Sequence, residues 1–242
     1  MRWFAFALTA LLATPVQAQI FDSMADTVFD LIEAGDPSVF ACLEQAGTGP
    51  RQIWDRRIED EPVVEAFLFN ALFQDGTRIE IAVNPEFGST GAARAEAERY
   101  TGALGQLPTS LRAGIERFSI HRGSSPYHAG TGQIVAYSDR TDQRVAVNGL
   151  EETLFHEAVH ASWDDTHRLH PAWRTAQLQD GAFLTGYGAS RPDREDLADT
   201  APFVFALLHH PGRVPPADAA DIRETIPNRI DYIAELLPPG GP

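Results

Sequence analysis

Apolar and polar positions follow two periods along this chain, and the switches between them mark its elements. Val63 to Phe73 and Thr77 to Val83 are rich in β-branched and aromatic residues and read as strands. Asp75-Gly76 between them is a hairpin signal. Ile115 to His121 alternates as a strand should. Gln133 to Tyr137 and Arg144 to Asn148 read as a second hairpin around residues 138–143. Helical spacing appears elsewhere. Ala93, Ala97 and Tyr100 predict a helix over Ala92 to Leu104, stopped by Gly105 and Pro108. Phe21 to Cys42 reads as helical, interrupted at Gly35-Asp36-Pro37. Leu150, Leu154, Ala158 and Ala161 share one helical face. Further helices are expected over Ala172 to Gln179, Glu195 to His209 and Ala217 to Leu237, the last divided near Pro227. Thr185 to Pro192 reads as a loop and Pro238 to Pro242 as a loose tail. The pattern predicts an α+β fold without internal repeats, ending in a mainly helical C-terminal part.

The first residues change the picture. Met1-Arg2-Trp3 precedes an apolar run from Phe4 to Leu12, and small residues stand at Val16 and Ala18. A charged start, a short apolar core and a small-residue cleavage site predict a secretory signal over 1–18, cut after Ala18. The expected location is therefore secreted or periplasmic. The run is too short for a membrane span. Residues 19–60 are then an N-terminal helical segment, and 61–242 the main domain.

Composition narrows the function classes. The net charge is −15, and all nineteen basic residues are arginine. A scattered acidic surface disfavours nucleic acid, which needs a basic footprint. It mildly favours neutral or basic peptides as partners. Cys42 is the single cysteine, so no internal disulfide can form. Its apolar surroundings, Val39-Phe40-Ala41-Cys42-Leu43, predict a buried thiol.

The chemistry concentrates in His156-Glu157-Ala158-Val159-His160, an H-E-x-x-H pattern. Residues four apart share a helix face, so both imidazoles can address one metal ion, with Glu157 beside them to move a proton. Zinc accepts neutral imidazole and leaves a position open for water. A third ligand is expected from Arg191 to Ala201. Glu195 could bind the ion while Asp199, four residues on, accepts the free N–H of a zinc-bound histidine. Asp196, Asp199 and His167 remain alternative ligands. The pattern H-E-x-x-H-x-x-G-x-x-H does not fit, because Trp163 and Thr166 occupy its glycine and third-histidine positions. His209 and His210, beside Pro211, read as capping or surface residues.

His156-Glu157-x-x-His160 followed by Glu195-Asp196-x-Ala198-Asp199 resembles the gluzincin metallopeptidases. Tyr187-Gly188-Ala189-Ser190 before that glutamate resembles their lethal-factor-like branch. The resemblance covers roughly residues 78–210. It implies a zincin-like domain with a mixed sheet over the motif helix, and a peptide or protein substrate added to an edge strand. It implies His156, His160 and Glu195 as zinc ligands, Glu157 as general base and Tyr187 as a donor to the oxyanion. Gly132 to Tyr137 is the expected edge strand. The competing expectation is an exported zinc-binding domain without peptidase activity.

Overall fold

A computed structural model describes residues 19–237. The expected signal segment and the tail Pro238 to Pro242 lie outside the described residues. The element order is β1 (Phe40–Gln52), β2 (Val63–Phe73), β3 (Arg78–Val83), α1 (Thr90–Gln106), α2 (Thr109–Arg112), β4 (Arg117–His121), β5 (His128–Gly130), β6 (Gln133–Tyr137), α3 (Ser138–Val145), α4 (Leu150–Ser162), α5 (Pro171–Asp180), α6 (Gly186–Ser190), α7 (Asp196–His209), α8 (Pro216–Thr225) and α9 (Pro227–Leu236). The architecture is α+β around a mixed six-stranded sheet, ordered β1-β2-β3-β4-β6-β5. β1, β2 and β3 are antiparallel neighbours, and β3, β4 and β6 run parallel. β5 returns antiparallel at the edge.

Local signals account for several boundaries. Asp75 Oδ1 accepts the Thr77 N–H, and Gly76 takes φ +84°, which closes the β2–β3 turn. The Ser89 hydroxyl accepts the Ala92 N–H and caps α1. Pro171, Pro216 and Pro227 stand at helix starts, where the missing N–H costs nothing.

The main core lies between one sheet face and the helices. Phe69, Ile79, Ile81, Phe118, Ile120 and Ile134 project from the sheet onto α1 and α4. α7 is mostly apolar and is buried on every side from Asp196 to Ala206, with Asp199 and Thr200 among the buried residues. It packs against α4 and α9. A smaller cluster, Ile53, Ala66, Leu68, Ala82, Val135 and Tyr137, lies on the other sheet face.

Five expectations are corrected. Phe21 to Cys42 is not helical, so 19–60 is not a helical segment. It holds one 3-10 turn, Met24–Asp26, an irregular strap, and then β1. Arg144 to Asn148 is no strand. Residues 138–145 form helix α3, and Val145 and Val147 are exposed. The Thr185 to Pro192 loop contains α6, capped by the Thr185 hydroxyl on the Gly188 N–H. Gln133–Tyr137 is interior to the sheet, because β5 lies outside it. Cys42 is exposed rather than buried. Among the described residues, no helix is long and apolar enough to cross a membrane.

Candidate metal centre

Helix α4 turns its Leu154, Phe155, Ala158 and Val159 face into the core, which leaves His156, Glu157 and His160 on the opposite face, toward a cleft. Acidic Glu151 and Glu152 occupy its first turn. The His156 and His160 Nε2 atoms are 3.2 Å apart, with the rings nearly perpendicular at 77°. Glu195, the residue that precedes α7, completes the group. Its Oε2 lies 3.2 Å from His160 Nε2 and 3.5 Å from His156 Nε2. A tetrahedral ion with bonds of about 2.0–2.1 Å sets its ligand atoms about 3.3 Å apart. The donor triangle therefore has the size that such an ion requires. Among the described residues, His156, His160 and Glu195 form the group that could hold a metal.

The electrostatics fit a cation. Burial opposes the charge of Glu195, yet hydrogen bonding to the two imidazoles holds its carboxyl well below the usual range. Burial likewise disfavours imidazolium, but Asp164 and Glu195 push His160 up to about 10. A metal ion would take the place of that shared proton. Burial pushes the Glu157 carboxyl up, against the pull of His156 and His160.

The surrounding shell assigns the remaining candidates. His160 Nδ1 is bound by Asp164 Oδ2 at 2.9 Å. His156 Nδ1 is buried without a hydrogen bond, and Asp199 Oδ1 stands 3.8 Å away. Asp199 is thus beside the histidine as expected, but its oxygens accept the Met24 N–H at 3.2 Å and the Thr185 hydroxyl. Asp196 is no ligand here. It is buried in an ion pair with Arg229 at 2.8 Å and a hydrogen bond from Gln177 at 2.7 Å. His167 bonds the Tyr232 hydroxyl at 2.8 Å in an aromatic group with Trp163 and His170. His209 and His210 pack on Phe205 at the end of α7.

Tyr187, in α6, lines the same cleft, its ring centroid 6.4 Å from that of His156. Its N–H donates to Asp22 O, which ties α6 to the N-terminal strap. Arg191 stacks on its ring at 5.4 Å and donates to its hydroxyl at 3.3 Å. The cleft has a volume of about 1250 Å³ and runs past edge strand β5, which contributes His128 and Ala129.

Sequence reasoning missed Asp164, His128, Arg56 and the other cleft arginines. Asp164 carried a signal, since it stands four residues after His160. The others reach the cleft only through tertiary packing. Comparison with protein-family models, with characterised proteins and with solved structures finds no match for this chain.

Proposed function

We propose that this chain is an exported zinc metallopeptidase of the gluzincin type, with a zincin-like catalytic domain. The observation that carries the reading is the donor triangle of His156, His160 and Glu195, with edges of 3.2, 3.2 and 3.5 Å. Zinc, when bound, supplies a Lewis acid that acidifies water and polarises a scissile carbonyl. Glu157 accepts the proton of the attacking water and passes it to the leaving amine. Its burial favours such a base, because a carboxyl raised toward neutrality can both take and return a proton. Tyr187 donates to the oxyanion as it develops, a contact worth about 3 kcal/mol of barrier. A peptide lies along β5 as an additional strand, since an edge offers unpaired N–H and C=O groups. The H-E-x-x-H stretch, the glutamate before a later helix and the preceding tyrosine support the lethal-factor-like branch in particular.

The test is elemental analysis beside a peptide-library digest. Wild type should hold one zinc, Glu195→Ala should lose it, and Glu157→Gln should keep zinc while losing hydrolysis. Zinc absent from reconstituted wild type sinks the reading. Stoichiometric zinc with no cleavage of any peptide replaces it with a binding role.

A further inference from the structure

The chain is acidic overall, yet its cleft is not. Among the described residues, five arginines line the cleft that holds the candidate metal centre: Arg56, Arg140, Arg144, Arg191 and Arg194. They face four carboxylates, of which Glu157, Glu195 and Asp199 belong to the centre and Glu59 to the rim. A divalent ion would add two further positive charges. The cleft is therefore locally positive in a molecule of net charge −15.

Pairing divides these five, since Arg194 Nε already lies 3.3 Å from Glu195 Oε1 of the centre. Arg51, Arg57, Arg112, Arg213 and Arg229, all outside the cleft, sit in ion pairs with the chain's own carboxylates. Arg56, Arg140 and Arg191 make no ion pair with a carboxylate among the described residues, and their hydrogen bonds go to neutral groups. Arg56 Nη2 donates to Tyr127 O at 3.4 Å, just before edge strand β5. Arg140 Nη1 donates to Gln143 Oε1 at 2.9 Å on α3. Arg191 leans on Tyr187. Guanidinium forks match carboxylates in two-pronged geometry, and these three retain donors for them. Held on separate elements around one centre, they would meet acid groups along a bound chain rather than at a single point.

We infer that the cleft selects acidic peptides, with Arg56 and Arg140 binding aspartate or glutamate side chains that flank the bond above the metal centre. Cleavage of such peptides rests on the peptidase reading above, whereas their binding does not. A partly exposed ion pair is worth roughly 1.5- to 5-fold in affinity, so two pairs should separate acidic from neutral peptides by about tenfold.

The experiment uses short fluorescein-labelled peptides in pairs that differ only in two glutamates replaced by glutamine. Binding to Glu157→Gln protein is read by fluorescence anisotropy, with and without added zinc, and cleavage by wild type is read separately. The acidic member should bind about tenfold more tightly. That ratio should fall to about threefold or less in Arg56→Gln/Arg140→Gln and recover in Arg56→Lys/Arg140→Lys. Arg78→Gln/Arg223→Gln removes the same charge from exposed positions outside the cleft and should leave the ratio intact. Equal binding of the two peptides by the parent protein overturns the assignment. So does a ratio that survives loss of Arg56 and Arg140, or one that falls as far in the control pair. Acidic peptides bound in the expected ratio but never cut would remove the peptidase reading and leave the cleft assignment standing. Peptides cut at equal rates and bound equally would do the reverse.

Discussion

Replacing Asp164 tests how the second histidine is held. Asp164 Oδ2 lies 2.9 Å from His160 Nδ1, one helical turn beyond it, and its side chain is 19 % exposed. Accepting the Nδ1 proton leaves the Nε2 lone pair aimed at the centre and makes it more basic. Burial alone would make His160 a poor cation, but Asp164 and Glu195, with the Glu157 charge beside them, push it up to about 10. Partners of this kind are typically worth about 10- to 100-fold in metal affinity, or roughly 1.4–2.7 kcal/mol. Asp164→Ala should weaken zinc by that factor, and Asp164→Asn by less, because an amide oxygen can still accept the bond. Asp199 provides the contrast. It stands 3.8 Å from His156 Nδ1, with its oxygens engaged by Met24 and Thr185. Asp199→Asn should therefore cost less zinc affinity than Asp164→Ala and more thermal stability. The assay is competition with a chromophoric chelator at fixed pH, beside a thermal melt of each zinc-free protein. Wild-type affinity in a folded Asp164→Ala protein would refute the reasoning.

Two further outcomes follow from buried charges. Arg229 is fully buried and joins buried Asp180 and Asp196 at 2.9 and 2.8 Å, anchoring the start of α7 beside Glu195. Arg229→Met strands two buried carboxylates and should cost about 3–5 kcal/mol. At roughly 2–4 °C per kcal/mol for a chain of this size, the melting temperature should fall by about 10 °C. A fall under about 2 °C would mean that the triad does not clamp the helix. Glu152 is buried on α4 and accepts the Leu31 and Ile32 N–H groups, so it ties the strap to the motif helix. Burial raises its carboxyl to about 7, with Glu151 adding to the push. Its folded state thus holds a proton that the unfolded chain releases near pH 4.5. Stability from this group is fully present below pH 4.5 and is lost as pH rises toward 7, by about 3 kcal/mol in all. Glu152→Gln mimics the protonated form and should flatten that decline, giving a more stable protein than wild type at pH 8. Parallel stability profiles for the two proteins between pH 4.5 and 8 would contradict this.

Where a feature rests on local period, the sequence discloses it. The β2–β3 hairpin, α1, the motif helix and the break before Pro227 stand within a few residues of their expected places. The failures at β1 and at the strap both arise from partners distant in sequence. β1 carries Gly47, Gly49 and Pro50 and is mostly exposed, so it has no apolar face to read. Its place comes from main-chain pairing with β2, with register shifts near Phe40 and Gln45. Cys42 faces outward for the same reason. The strap fails differently. Met24, Leu31 and Ile32 are buried as helical apolar residues would be, but their N–H groups are satisfied by Asp199 and Glu152. Those carboxylates lie 120 to 175 positions away, and no window of sequence shows them.

The candidate centre divides along the same line, and the division bears on substrate choice. His156, Glu157, His160 and Asp164 are neighbours on consecutive helical turns, so spacing alone can place them together. Glu195 needs only one helix to pack on another. The arginines of the cleft arrive from the segment after β1, from α3 and from the α6–α7 connection. Net charge, the one electrostatic quantity legible in sequence, points toward neutral or basic peptides. Yet scattered surface acids act on a peptide in the cleft through solvent, where screening sets in over about 8 Å at physiological salt. The guanidinium groups that line the cleft lie within contact range of whatever fills it. Long-range charge governs approach, and short-range charge governs what stays. For a cleft whose His156, His160 and Glu195 could hold a cation and which Arg56, Arg140 and Arg191 line, the second effect would select carboxylates, against the sign of the molecule as a whole.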